Sequence, residues 1–306
     1  MIACVSIERI WKNVLGGDLV NILPYIMVLL AAMLWGTVGT TQTFLADGIS
    51  PLAVAGVRSG IGGGVLLLVV LLLRKIDLWK WSWKWTILAA IAIALFQSLF
   101  FTSVRFTGVA VGTVVTIGSS PVFAGLIEWL VWKVKPTRVW AIATALAVVG
   151  CVLLFVNRGE AVVDPLGIAL ALCAGFMFAL YTNVSKQLME REETLPAVAM
   201  TFSICALLLF PFAARDGFGW VAEPSNLWPM LFMALAGTSI AYLLFLGGLQ
   251  KISSSAAVTL SLAEPLTAAI LGVFLVGEYL SATSWIGVAL LLCGILVLTL
   301  GARKTA

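Results

Sequence analysis

Glu264 is an acid in the middle of an apolar run. It stands twelve residues into a stretch that covers about 252–276, and Pro265 follows it directly. If that stretch is a helix crossing a membrane, a rise of about 1.5 Å per residue puts the carboxyl roughly 18 Å from the end where the run begins. A charge at such depth costs about 2.5–3.5 kcal/mol on insertion scales, so it needs a purpose. Pro265 removes a backbone donor and can kink the helix, which frees carbonyls to face a cavity. Desolvation disfavours the charged form of a carboxyl held there. That suits a proton carrier. A counter-charge for a cationic cargo and a protonated acid that only bridges helices are the other readings.

Arg58 lies seven residues into the run 51–73. It can pair with Glu264, bind a substrate carboxylate through two parallel hydrogen bonds, or extend its stem to the membrane surface. Uncharged candidates fall at similar depth in other runs: Trp35, Gln97, Ser120, Thr238 and Ser239, with Tyr181 and Tyr242 about a turn further. Together they frame a binding cavity with an aromatic wall and a few fixed donors, and a ring of Trp35 or Tyr242 can face a cation. Pro121 and Pro265 are the expected hinge or kink points. Glu128 sits near the end of its run and close to Lys133, so an interfacial ion pair is expected there.

The elements that hold these residues follow from composition. Of 306 residues, 62% are hydrophobic and only 10% are charged, against about 45–50% and about 25% in soluble domains. A soluble protein, a disordered chain and a nucleic-acid binder are excluded. The sequence has no His, which removes His-based acid–base work, the usual catalytic triads and His-ligated metals. No Lys lies deep in a run, so an intramembrane Ser–Lys enzyme is disfavoured as well. Five cysteines without a C-x-x-C pair read as small buried apolar residues, not as a metal site or disulfide framework. No cofactor is implied.

Ten runs are long enough to cross hydrocarbon, each about 20 residues. They lie near 22–45, 51–73, 85–104, 109–132, 138–157, 165–188, 195–214, 226–249, 252–276 and 281–301. With the N-terminus in the cytoplasm, fourteen of the eighteen Lys and Arg fall on the cytoplasmic side, three outside, and Arg58 within a span. So lopsided a split supports this topology with both termini cytoplasmic. Residues 1–21 lack the apolar core of a signal peptide and read as a cytoplasmic segment, with Ile2, Val5, Ile10, Val14 and Leu15 on the apolar side of a surface helix. Trp79, Trp81, Trp83 and Trp85 with Lys80 and Lys84 read as an interfacial anchor. Gly60/Gly64 and Gly108/Gly112 have the spacing of close helix contacts.

The runs repeat. Thr116-Ile117-Gly118-Ser119-Ser120-Pro121 corresponds to Leu260-Ser261-Leu262-Ala263-Glu264-Pro265 at an offset of 144, and Gly150 to Gly294. Leu34-Trp35-Gly36-Thr37 stands opposite Met177-Phe178-Ala179-Leu180. Two five-helix halves, 22–157 and 165–301, are expected. Five crossings oblige the second half to start from the opposite side, so the halves form an inverted repeat with the cargo site between them.

The order of Leu34-Trp35-Gly36, Gly108-Val109-Ala110, Phe178-Ala179-Leu180-Tyr181, Ala263-Glu264-Pro265-Leu266, Gly277-Glu278 and Trp285-Ile286-Gly287 resembles the EamA-type branch of the drug/metabolite transporter superfamily. One departure is that Lys133-Val134-Lys135 stands where the second half has Gly277-Glu278. The resemblance implies alternating access between two bundles, small metabolites or drugs as cargo, often outward, and H⁺ as a frequent coupling ion. The expectation is a transporter of the inner or plasma membrane, in contact with lipid and a small molecule. Export of metabolites such as amino acids competes with transport of amines or lipophilic cations, and a passive channel is the remaining class.

Overall fold

A computed structural model of the protein describes residues 17–46, 48–155, 164–215, 217–276 and 279–301. Every regular element among these residues is a helix. Hydrocarbon offers no partner to bare backbone groups, and in an open chain only a helix satisfies them within one segment. The expected surface helix in residues 1–21 lies largely outside the described residues, as does Glu278.

The first two helices are α1, Gly17–Gln42, and α2, Pro51–Leu72. The chain then stays helical from Trp83 to Leu130, 48 residues. A straight helix of that length would measure about 72 Å, more than twice the hydrocarbon thickness. Gly108 resolves the conflict. Its φ of 78° and ψ of 163° turn the chain back, a conformation that costs glycine little, and divide the segment into α3 (83–107) and α4 (109–130). There follow α5, Arg138–Phe155, α6, Pro165–Met189, α7, Thr194–Arg215, α8, Pro224–Leu249, α9, Ser254–Phe274, and α10, Ala282–Gly301. Nine described segments are long and apolar enough to cross a membrane, and the corner at Gly108 makes them ten crossings.

The two halves, α1–α5 and α6–α10, interlock. Helix α1 lies on α8 and α9 of the second half, and α6 lies on α3 and α4 of the first. Helix α2 pairs with α7, and α5 with α10. Exchanging the halves maps this pattern onto itself, as an inverted repeat requires. Of the expected close approaches only Gly112 makes one, against Val104 of α3; Gly64 and Gly108 face open space, whereas Gly63 meets the backbone of Phe202 and Ser203, and Gly62 meets the carbonyl of Ala234. Two of the described cysteines, Cys151 and Cys205, are buried as expected, but Cys173 and Cys293 are exposed on outward helix faces.

The loops on one side are tied together. Lys75 pairs with Glu193 at 2.7 Å, and Glu192 accepts from the backbone N–H of Ser82 at 2.8 Å. Of the four tryptophans there, Trp79 is exposed, but Trp81 is buried and donates to the Thr86 hydroxyl. Lys84 and Arg191 both lie over the Trp85 ring.

Glu128 corrects its expectation. It does not pair with Lys133. Its two carboxylate oxygens accept from the backbone N–H groups of Ser254 at 2.6 Å and Ser255 at 3.2 Å, the start of α9. An acid is favoured at that end of a helix, where unpaired donors and the macrodipole coincide. From α6, the Lys186 ammonium donates to the carbonyls of Leu249, Gln250 and Ile252, at 2.7, 3.0 and 3.0 Å. Thus the α8–α9 loop is gripped from both sides. Glu128→Ala is expected to lower stability by about 1–2 kcal/mol, and Glu128→Gln, which keeps an acceptor, by less. Thermal melting of the purified variants in detergent checks the order.

Candidate functional site

The site begins with a local break in α9. Pro265 has no N–H to give to the Ser261 carbonyl four residues back. The Glu264 N–H takes that carbonyl instead at 2.9 Å, and Leu262 bonds three residues back to Thr259 at 3.2 Å. Regular α-helix therefore stops at Leu260 and resumes at Ala263. The tight turn between them delivers Glu264 to a cavity. At the matching position of the first half, α4 continues as helix through Pro121.

The cavity has a volume of about 700 Å³. Its lining includes Trp35, Arg58, Gln97, Ser120, Tyr242, Glu264 and Pro265. It extends to Gln42 and Thr43 at the end of α1, Val109 at the start of α4 and Phe155 at the end of α5. Those residues share one side of the membrane, opposite the gripped α8–α9 loop. At the other end the Trp35 ring packs against Tyr242 at 4.8 Å, Phe245 at 5.1 Å and Phe178 at 6.1 Å, and Tyr242 against Phe202 at 4.3 Å. These rings make a floor. The Trp35 indole N–H has no hydrogen-bond partner.

Two opposite charges face this space without pairing. The Arg58 guanidinium donates to the Gln97 side-chain oxygen at 2.8 Å, and forms no ion pair with Glu264. A guanidinium has donors only, so the Gln97 amide must turn its oxygen toward Arg58 and its nitrogen away. That nitrogen meets the Cys205 sulfur at 3.4 Å, which in turn lies 4.0 Å from the Ser59 hydroxyl. Gln97, buried to 1% exposure, is thereby occupied at both ends. Cys205 was legible only as an apolar filler, and its contact with Gln97 has no sequence signal.

The repeat puts matched residues on the same cavity. Ser120 corresponds to Glu264 and Phe178 to Trp35, and all four line it. Ser120 donates to the Thr116 carbonyl at 2.7 Å.

Four residues singled out from sequence lie off the cavity: Pro121, Tyr181, Thr238 and Ser239. Tyr181 is fully buried behind the floor, 5.9 Å from Tyr242 and 6.3 Å from Phe178. Thr238 and Ser239 stand in a π-helical turn, Leu235–Ile240. Their hydroxyls return to carbonyls five residues back, Met233 at 3.2 Å and Ala234 at 3.2 Å, and Ser239 also bonds the Gly62 carbonyl at 3.0 Å. They serve backbone groups that the wide turn leaves short of donors.

The EamA-like transporter family matches residues 22–156 and 165–300, which is nearly the whole chain. The chain belongs to this family. It is 45% identical over 279 residues to a Bacillus subtilis protein named "Uncharacterized transporter YwfM", covering 91% of this chain and 94% of the relative. It is 25% identical over 291 residues to a Salmonella typhimurium protein named "Uncharacterized inner membrane transporter YicL", covering 91% and 96%. A solved structure named only as a crystal structure of a protein superposes with a TM-score of 0.79 at 19% identity, over 92% of this chain and 98% of that one. It shares the fold. The protein is thus a multi-pass membrane transporter and not an enzyme, and its partners are lipid and a small-molecule substrate.

In this EamA-like transporter the site depends on how closely α1 crosses α9. A Cβ added at Gly36 would lie 2.6 Å from the Glu264 carbonyl and 2.7 Å from the Thr267 Cβ, whereas one at Gly39 meets nothing within 4 Å. Gly36→Ala is expected to force the helices apart and lower the melting temperature by several degrees. Gly39→Ala should leave it unchanged or raise it, since alanine is favoured in a helix by about 1 kcal/mol. Melting curves of the two variants in parallel test the crossing.

Proposed function

We propose that the protein is a secondary transporter that exports small zwitterionic metabolites, amino acids among them, from the cytoplasm across the inner or plasma membrane. The observation that carries this reading is one cavity between the repeats holding a guanidinium, Arg58, and a carboxyl, Glu264, that are not spent on each other. A guanidinium recognises a carboxylate through paired, charge-assisted hydrogen bonds, and Glu264 offers the complementary site to an ammonium. Trp35, Tyr242 and Phe178 supply an apolar wall for the rest of the cargo.

An inward-facing Arg58 favours carboxylate-bearing cargo over amines and lipophilic cations, which it would repel. The ring floor and the gripped α8–α9 loop support alternating access over a passive channel, because the cavity opens on one side only. With both termini cytoplasmic, that side is the outside, and this conformation is the one that releases exported cargo. Glu264 is the coupling group, carrying H⁺ when no cargo ammonium occupies it.

Proteoliposome flux of pooled amino acids and amines, with and without an imposed pH gradient, tests the reading on wild type and Glu264→Gln. Wild type should drive saturable flux of amino acids in preference to amines. The variant should lose gradient-driven accumulation and keep exchange between pools on the two sides. Equal gradient-driven flux in Glu264→Gln returns Glu264 to a structural role. Flux that does not saturate makes the protein a channel.

A further inference from the structure

The two ends of the inverted repeat are chemically unequal. At the closed end Glu128 of α4 holds the first N–H groups of α9, and Lys186 of α6 holds the carbonyl of Leu249, the last residue of α8, and those of Gln250 and Ile252 in the loop. The repeat offsets give each of these residues a counterpart. Glu128, 144 residues before Gly272, corresponds to it, and Lys186 corresponds to Thr43 by the offset of 143 that relates Trp35 to Phe178. Both counterparts line the cavity at its open end. The elements they would grip correspond too. The α8–α9 loop at 250–253 matches the α3–α4 corner at Gly108, and Ser254 and Ser255 match Ala110 and Val111.

An inverted-repeat protein reaches its second conformation by having each half adopt the other half's arrangement. In that state the α3–α4 corner would close as the α8–α9 loop is closed now, but with glycine and threonine where the clamp has an acid and a base. At the two clamp positions, charges of both signs stand at the α8–α9 end and neutral residues at the α3–α4 end. A device that interacts with only one of two states shifts their equilibrium by that difference.

We infer that Glu128 and Lys186 are positioning residues of the transport cycle: by clamping the α8–α9 hairpin, which carries Tyr242 and Glu264, they set the resting protein open on the side of the α1–α2 loop. This rests on alternating access. The clamp must release before the cavity opens to the other side, so it sets the balance between the two states without touching cargo.

The test reads both ends without any cargo. Single cysteines replace Thr113, which lines the cavity, and Ser185, which is fully buried one turn beyond Tyr181 toward the clamp. The rate at which a hydrophilic maleimide labels each is followed by mass spectrometry, site by site, in purified protein. Wild-type background should label at 113 and be protected at 185. Glu128→Ala and Lys186→Ala should each raise labelling at 185 and lower it at 113, with the ratio moving about tenfold. A static cap behaves otherwise. If labelling at 185 rises while 113 stays constant, or neither changes, the clamp is only a helix cap and the inference is overturned.

Should the alanine variants fail to fold, Thr43→Lys decides. It places the mirror image of Lys186 at the open end and should slow labelling at 113 about fivefold. No slowing overturns the inference. Failure of alternating access itself looks different: both positions would label rapidly in wild type.

Discussion

Hydrocarbon solvates neither a charge nor a bare backbone group, and the two mid-span charges, Arg58 and Glu264, govern the arrangement around them. Arg58 is held by a neutral acceptor. The Gln97 oxygen fixes the guanidinium in place without cancelling its charge, as an acid at that position would. Glu264 is left to the cavity, on a turn that exists because Pro265 cannot donate to Ser261. Each charge is therefore held without a direct ion pair to its opposite, although the two still act on each other across the cavity. Had they met, the energetic cost of burying them would have been met internally, and the space between the repeats would have had no means of distinguishing a charged cargo.

Much of this was legible in the sequence. Apolar runs of about 20 residues marked the crossings, and an odd number per half implied the inversion. The matched prolines identified Ser120 and Glu264 as partners in the repeat, and both face the cavity. What the sequence withheld was rotation about the helix axes. In soluble helices an apolar stripe reveals the buried face, but in lipid the outward face is as apolar as the inward one. Thr238 and Ser239 had the right depth and the wrong heading. Their π-helical turn has no composition signal, and their hydroxyls answer carbonyls that only this turn creates. The same uncertainty put close contacts at Gly60 and Gly64 when the neighbouring Gly62 and Gly63 make them. Glu128 was misread for a related reason: Lys133 is near in sequence, but the α9 N-terminus is nearer in space.

Symmetry gives the fold, and departures from symmetry give the site. The pair Trp35 and Phe178 crosses near the centre at 6.1 Å, one ring bearing an N–H and the other none. The pair Ser120 and Glu264 sets a hydroxyl that turns back to its own helix opposite a free carboxyl. In both cases the two halves place side chains of different polarity at matched positions. Duplication supplies two copies of a backbone that can adopt either arrangement, and a cargo site needs only one set of polar groups between them.

The chain also reverses in two different ways at equivalent places. Between α3 and α4 a single glycine at φ 78° makes the corner without a connecting loop. Between α8 and α9 the chain leaves the helix for several residues, and its loose ends are held by a carboxylate and an ammonium borrowed from other helices. A glycine corner carries its conformation in its own backbone and needs no partner. A loop held by side chains from α4 and α6 keeps its shape only while those helices stay close. One corner is thus held by its own backbone, and the other by contacts that tie the ends of α8 and α9 to α4 and α6. The cavity reaches the glycine corner, whose backbone supplies its own geometry, and is closed off at the end where the chain is held by side chains from other helices.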